Sequence, residues 1–167
     1  EIIQKRCAKI NNFFQSNCFE NNNIFSDELK RYQRLISPSD VGFHNILQQK
    51  DQLYFIDFEY SGIDDPFKLI SDLILQPDYS IPIEYLYLLK EFVYDVKSDI
   101  PFFEKKLQIF LELYSLKWFC IILNPLSRDF CNKESIKVKS LLDKALNYLR
   151  NIDKKKNKFL EILNTTL

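Results

Sequence analysis

The sequence predicts a mainly α domain of the α+β kind, with one small β-hairpin set among helices. The 167 residues, 46 % of them hydrophobic, are enough to build the core of a single domain spanning residues 1–167. Apolar residues recur at helical spacing near the N-terminus and again over the stretch 80–165. Only the segment 37–60 holds two short apolar runs that are separated by polar turn residues, which is typical of a hairpin.

Two helices are predicted before the hairpin. Residues 2–16 put four apolar side chains on one helical face: Ile3, Cys7, Ile10 and Phe14. Ser26 can cap a second helix, which Pro38 ends because the residue before a proline avoids helical geometry. The second helix would also have an apolar face, made by Leu29, Tyr32 and Leu35.

After the hairpin, a segment rich in proline is predicted to be irregular from Asp57 to Pro82. Ser80 and Pro82 then start a helix to about Lys97, whose inward residues are Leu86, Leu89, Phe92, Val93 and Val96. The next helix runs from about Asp99 to Leu123. A further helix over 133–150, followed by a short one over 154–163, has a buried face of Val138, Leu141, Leu142, Ala145 and Leu149.

Composition excludes several classes of partner. The 23 basic and 23 acidic residues cancel, which argues against a nucleic-acid-binding surface. The longest wholly apolar run, Trp118 to Leu123, has six residues, whereas a membrane helix needs about 20. The four cysteines form no CxxC pair, and His44 is the single histidine, so buried reduced thiols are expected rather than zinc. We therefore expect a cytoplasmic protein with no membrane or nucleic-acid partner.

The hairpin gathers the polar residues that can carry chemistry. Asn45 begins its first strand and Asp57 ends its second, and a loop of odd length would put them opposite each other with Cβ atoms about 5 Å apart. Carboxylate and amide oxygens suit Mg²⁺, which takes its other ligands from water and phosphate. Asp40 lies just upstream and is free to accept a proton from an attacking hydroxyl. Glu59 either binds a second metal or faces solvent.

Two further residues have alternative interpretations. Lys117 lies on a nearly all-apolar helix, so it could line a substrate pocket, or its stem could cover a core Trp118 while its ammonium reaches solvent. His44 fits a packed or hydrogen-bonding loop histidine better than a catalytic base.

These residues resemble the motifs of the aminoglycoside phosphotransferase and choline kinase family. Its pattern is H-x-D-x-x-x-x-N, a hairpin, I-D-[FW]-[DE] and G-x-x-D-P. The chain resembles it in motif from Ser37 to about Gln76, and in helical pattern only over the remainder. The resemblance implies the C-terminal lobe of a protein-kinase-like fold, with Asp40 as catalytic base and Mg²⁺ held by Asn45 and Asp57. Pro38 stands where the family has its motif histidine. That histidine supports the metal-binding segment, so the resemblance does not imply the same rigidity for this site. A bacterial subgroup is especially similar.

The resemblance implies transfer of the γ-phosphate of ATP or GTP to a hydroxyl of a sugar or an amino alcohol. With only two glycines, the chain cannot hold a glycine-rich nucleotide loop. We therefore expect a missing N-terminal lobe or a longer chain, and poor catalysis by this chain alone. The missing lobe would leave an apolar face near Asp57, with Tyr54, Phe58 and Tyr60 exposed.

Two other functions stay open. A non-catalytic kinase-like interaction domain is favoured by Pro38 and by the absent lobe, and disfavoured by the joint presence of Asp40, Asn45 and Asp57. A metal-dependent hydrolase that uses the same acids is less favoured, because such sites usually add histidines.

Overall fold

A computed structural model describes residues 1–18, 28–79, 81–128 and 135–165 of the chain, which are mainly helical. The α-helices are α1 (Ile2–Cys18), α2 (Pro66–Leu75), α3 (Leu89–Lys97), α4 (Phe103–Arg128) and α5 (Ser135–Asn164). The strands are β1 (Leu35–Ser37), β2 (Ile46–Gln49), β3 (Gln52–Phe55) and β4 (Gly62–Asp64). Short 3-10 segments cover Arg31–Gln33, Phe43–Asn45 and Ile83–Leu88. The prediction of a mainly α chain with a small antiparallel hairpin is confirmed.

The core lies where α4 packs against α2 and α5. Phe67 of α2 is buried between two aromatic rings of α4, with centroids 4.9 Å from Phe103 and 5.0 Å from Phe110. The same cluster contains further fully buried aliphatic side chains, among them Ile70, Ile74, Leu75, Leu86, Leu107 and Leu111. Burial of this apolar area is the main stabilising term, and it fixes α2 on the body of the domain.

Helix α2 lies in the segment that was predicted to be irregular. The Asp65 carboxylate accepts the backbone N–H of Phe67 at 2.7 Å, which caps the helix, and Pro66 occupies its first turn. Phe67, Ile70 and Ile74 then supply a buried helical face. The prediction was wrong because Pro66 starts a helix here, whereas it was interpreted as a residue that interrupts one.

The helix predicted to follow Ser26 is absent from the described residues in this region. Ser26 itself lies outside them, Leu29 has no regular structure, Tyr32 is in a 3-10 turn and Leu35 starts β1. Strand β1 pairs antiparallel with β4, so that Ile36 faces Ile63. This pairing links residues distant in sequence, and local apolar spacing cannot reveal it.

The C-terminal half is confirmed in outline. The predicted inward residues Leu86, Leu89 and Val93 are buried, although a 3-10 segment precedes α3, and Ser80 lies outside the described residues. Helix α5 runs without interruption through residues 154–163, so no separate short helix follows it. Leu142 was predicted to be buried and is 41 % exposed.

The thiols of Cys7 and Cys120 are free and exposed, which corrects the expectation that they are buried. Cys18 and Cys131 lie where no side chain is described. Ile3 and Cys7, two of the four residues predicted to form the apolar face of α1, are exposed, and the helix buries Arg6 against the body instead.

Helix α4 is long and apolar enough to cross a membrane, by length and composition alone. The span Phe103–Leu126 contains an 18-residue window of mean hydropathy 1.4, of which 28 % is buried. The core helix of a soluble protein meets the same criteria, and α4 supplies Phe103, Leu107 and Leu111 to the core described above. The absence of a membrane partner and the cytoplasmic location stay predictions.

Candidate functional site

The loop between β1 and β2 has a strained turn directly before Asp40. The Asp40 N–H donates to the carbonyl of Pro38 at 2.9 Å, and Ser39 between them has φ of 68°. A three-residue turn with a positive φ at its centre is the rarer, strained form of the γ-turn. A non-glycine residue in this region costs about 1–3 kcal/mol and persists only where its surroundings hold it.

Two side-chain contacts close the loop on Asp40. The Asn45 amide Nδ2 donates to the Asp40 carbonyl at 2.9 Å, which leaves Asn45 Oδ1 as the amide atom that can accept or ligate. His44 Nε2 lies 3.3 Å from Asp40 Oδ2, while the Asp40 side chain remains 50 % exposed. The Asp40 carboxylate is therefore held near its loop and accessible from solvent.

His44 is a packed, hydrogen-bonding histidine, as its loop position indicated. Its ring lies on Tyr79 with centroids 5.2 Å apart. A Cβ added to Gly42 would come within 2.6 Å of the His44 ring. Glycine at this position therefore allows the ring to fold back toward Asp40.

The hairpin register differs by one residue from the prediction. Ile46 pairs with Phe55 and Gln49 pairs with Gln52, so the turn has two residues and the loop length is even. The Ile56 N–H donates to the Asn45 carbonyl at 3.0 Å, which places Asn45 opposite Ile56. Asp57 therefore does not lie directly opposite Asn45, and the prediction that it does was wrong.

Asp57 leaves the strand in a left-handed conformation. Its φ is 62°, so the strict alternation of side chains along β3 ends at this residue. The Asp57 carboxylate is exposed and has neither an ion pair nor a hydrogen bond within the part of the chain that the structure describes. Asp57 lies one residue beyond the position opposite Asn45, at the open end of the hairpin, with its carboxylate open to solvent.

The donor set fits a magnesium ion that brings its own ligands. No three or more His, Cys, Asp and Glu side chains come together as a metal-binding group within residues 1–18, 28–79, 81–128 and 135–165. A cage built from such side chains alone is therefore absent there. One amide oxygen of Asn45 and the Asp57 carboxylate match the one or two protein ligands that Mg²⁺ usually takes beside phosphate. Glu59 is exposed, and its role stays a prediction.

Lys117 is engaged by Asp72, a residue that the sequence analysis did not identify. Lys117 Nζ lies 2.6 Å from Asp72 Oδ1, and the Trp118 indole N–H donates to the same oxygen at 2.9 Å. The Lys117 ammonium also lies over the rings of Tyr114 and Trp118, at 4.5 and 4.7 Å. Burial raises the pKa of the Asp72 carboxyl, against the opposing hydrogen bond and charge of Lys117. These contacts tie α4 to α2.

The strands near the site and the loop between β3 and β4 expose apolar side chains, and Tyr54, Phe58 and Tyr60 are exposed as predicted. The apolar sheet surface consists of these three residues together with Ile36, Leu47, Leu53, Phe55 and Ile63. Ile36 pairs with Ile63 across β1 and β4, and Leu47 pairs with Tyr54 across β2 and β3. Leu53 and Phe55 alternate with Tyr54 along β3, so both faces of the hairpin expose apolar side chains. Exposed apolar side chains in this number are typical of surfaces that another chain segment or partner covers.

No protein-family profile, curated protein or solved structure matches this chain.

Proposed function

We propose that this chain is the catalytic lobe of a kinase-like phosphotransferase, which transfers the γ-phosphate of ATP or GTP to a hydroxyl of a small molecule. One observation carries the proposal. Left-handed, non-glycine backbone occurs at four described residues, of which Lys50 lies in the hairpin turn and Phe102 lies outside the motif. The other two are Ser39, directly before the proposed base, and Asp57, the proposed metal ligand. Such conformations cluster at functional sites, and these two bracket the D-x4-N motif and its hairpin.

Asp40 is the proposed general base. Its half-exposed carboxylate can accept the proton of the acceptor hydroxyl while the hydroxyl oxygen forms a bond to the γ-phosphorus. The bond from that phosphorus to the bridging oxygen breaks, and the nucleoside diphosphate leaves with the electron pair. The His44 ring at 3.3 Å limits the rotation of the carboxylate. The acceptor would be a sugar or an amino alcohol.

Asn45 Oδ1 and the Asp57 carboxylate are the groups that would hold Mg²⁺. Bound there, the ion supplies neutralisation of the phosphate charges. The hydrogen bond from Asn45 Nδ2 to the Asp40 carbonyl orients the amide so that its oxygen points away from the loop backbone. The same hydrogen bond links the position of the proposed ligand to that of the proposed base.

The apolar sheet surface supports a covering partner, for which we propose the N-terminal lobe of a longer chain. Its exposed members lie on the hairpin and on the β1–β4 pair, on both sides of the motif. A nucleotide-gripping lobe at this place would bury them and bring the phosphates to Asp57. We propose a cytoplasmic protein without a membrane or nucleic-acid partner.

A non-catalytic interaction domain is the second candidate. The apolar sheet surface favours it, because a scaffold needs a binding face and not an active site. The joint presence of Asp40, Asn45 and Asp57 in one loop and hairpin is what favours the enzyme over it.

A phosphotransfer screen tests the proposal. The protein encoded by the whole gene is assayed with ATP and GTP against sugars and amino alcohols, with and without Mg²⁺. Asp57→Ala should abolish transfer, and so should Asp57→Asn, which removes the charge but tolerates the left-handed backbone. Asp51→Asn, a matched change in the hairpin turn, should leave the rate within a few-fold of wild type. Asn45→Ala should be partly rescued by raised Mg²⁺, because Asp57 still anchors the ion.

The outcomes separate the two candidates. Magnesium-dependent transfer that Asp57→Asn abolishes supports the enzyme. Absence of transfer with every acceptor and both nucleotides, together with unchanged folding of Asp57→Asn, would favour the interaction domain instead.

A further inference from the structure

We propose that Lys68 is a positioning residue that fixes the peptide unit between Ser39 and Asp40 and thereby sets the orientation of Asp40. The inference rests on the proposed function for its catalytic consequence. Neither the motif nor the proposed mechanism assigns a role to Lys68.

The Lys68 ammonium has three donors and three near acceptors. Nζ lies 2.9 Å from the Ser39 carbonyl, 3.2 Å from Ser39 Oγ and 2.6 Å from Asp64 Oδ2. An ammonium can donate three hydrogen bonds, so these contacts satisfy it. With its side chain only 22 % exposed, the ion pair with Asp64 is largely shielded from water.

Both ends of the same peptide unit are held. Its carbonyl, that of Ser39, accepts from Lys68, and its N–H, that of Asp40, donates to the Pro38 carbonyl at 2.9 Å. A third contact runs from the Ser39 N–H to Ser37 Oγ at 3.0 Å. The strained φ at Ser39 would relax if the carbonyl were released, and the Asp40 side chain would rotate with the peptide plane.

Lys68 connects this peptide unit to the rigid body. It projects from the first turn of α2, and its partner Asp64 ends β4, which is paired with β1. Lys68 Nζ also lies 3.9 Å from Asp72 Oδ2, the carboxylate that binds Lys117 and Trp118 of α4. Lys68 therefore connects the backbone next to Asp40 to the packed helices.

A merely structural ion pair is the alternative, and a matched pair of variants separates the two. Lys68→Met keeps the aliphatic stem and removes the donors. Lys97→Met makes the same change at a lysine of α3 that pairs with Glu104 at 2.7 Å and is 32 % exposed, far along the chain from the loop. Lys68→Met loses the ion pair with Asp64 and the longer one with Asp72, whereas Lys97→Met loses the more exposed one with Glu104, so Lys68→Met should lose more stability.

Activity of the protein encoded by the whole gene gives the first readout. Lys68→Met should lower kcat about 10²-fold, the loss expected for a displacement of about 1 Å at a reacting group, with the nucleotide KM within a few-fold of wild type. Lys68→Arg should recover part of kcat, because it restores donors at the same place. Lys97→Met should leave both parameters unchanged.

Hydrogen exchange of the Asp40 amide gives a second readout that needs no activity. Protection of this amide should fall about tenfold or more in Lys68→Met and stay unchanged in Lys97→Met. If Lys68→Met keeps both kcat and amide protection, the inference is overturned. If the wild type transfers no phosphate but Lys68→Met still loses protection, the proposed function fails while the positioning of the loop by Lys68 stands.

Discussion

The helical body and the sheet region use their charged and apolar residues in opposite ways. In the body, Arg6, Glu112 and Lys156 are all buried, and each has an ionic partner within 2.8 Å. In the sheet region the strands expose isoleucine, leucine and aromatic side chains, and the Asp57 carboxylate has no partner among the described residues. The body therefore pairs its buried charges, whereas the sheet region exposes apolar side chains beside the residues that we propose to bind a cation.

Glu112 shows how tightly the body pairs its charges. Its carboxylate accepts from Arg6 at 2.8 Å and from Lys9 and Lys156 at 2.7 Å each. Burial would raise the pKa of Glu112, but the hydrogen bonds and charges of Lys156 and Lys9 outweigh it and lower the pKa to about 2. Arg6 also donates to the Leu149 carbonyl at 2.7 Å, so this cluster joins α1, α4 and α5.

The largest effect on stability should come from Glu112. Glu112→Gln leaves Arg6 and Lys156 buried with only the half-exposed Asp153 as carboxylate partner, and removal of one partner from a buried ion pair costs about 3–5 kcal/mol. Urea unfolding at neutral pH should show this loss. Glu104→Gln, at a half-exposed ion pair, should cost less than about 1 kcal/mol. Equal losses in the two variants would contradict the difference between buried and surface pairs.

The dependence of unfolding free energy on pH should also reveal the contribution of the Glu112 carboxylate. The folded pKa of about 2 lies below the ordinary value of 4.5, so the contribution of Glu112 is full above pH 4.5 and is lost as pH falls toward 2. The shift corresponds to about 3 kcal/mol of unfolding free energy. The wild type should lose about that much more stability than Glu112→Gln across this interval. If the unfolding free energies of wild type and Glu112→Gln fell in parallel over this pH interval, the role of Glu112 would be contradicted.

The smallest effect should come from the apolar sheet surface. Ile36→Thr and Ile63→Thr in residues 1–167 expressed alone should change the free energy of unfolding by less than about 0.5 kcal/mol, because both side chains are exposed. In the protein from the whole gene the same changes should cost more than about 1 kcal/mol, because the proposed lobe covers them. Equal, small costs in both proteins would contradict a covering lobe at this place.

The contrast between the regions also explains what the sequence could predict. The hairpin strands and α3–α5 were predicted because their apolar spacing is local. Helix α2 was not predicted because a proline such as Pro66 can either start a helix or interrupt one. The β1–β4 pair was not predicted because strand pairing between distant residues leaves no local pattern in the sequence. The predicted register at Asn45 was wrong because the hairpin turn has an even number of residues, whereas an odd number was predicted. Asp64, Lys68 and Asp72 are spaced by four residues, so a helix prediction over this segment would have paired them, whereas the contact of Lys68 with Ser39 joins residues that are distant in sequence.

The central claim, that the exposed loop carries the chemistry, is tested most directly by kcat of Asp40→Asn in the protein encoded by the whole gene. The substitution keeps the backbone carbonyl that accepts from Asn45, so the loop should stay folded. We expect kcat to fall 10²–10⁴-fold, which is the usual contribution of a general base to the rate. Nucleotide affinity should stay within a few-fold of wild type. His44→Ala should have a smaller effect. A kcat for Asp40→Asn within a few-fold of wild type would contradict the assignment of Asp40 as the base.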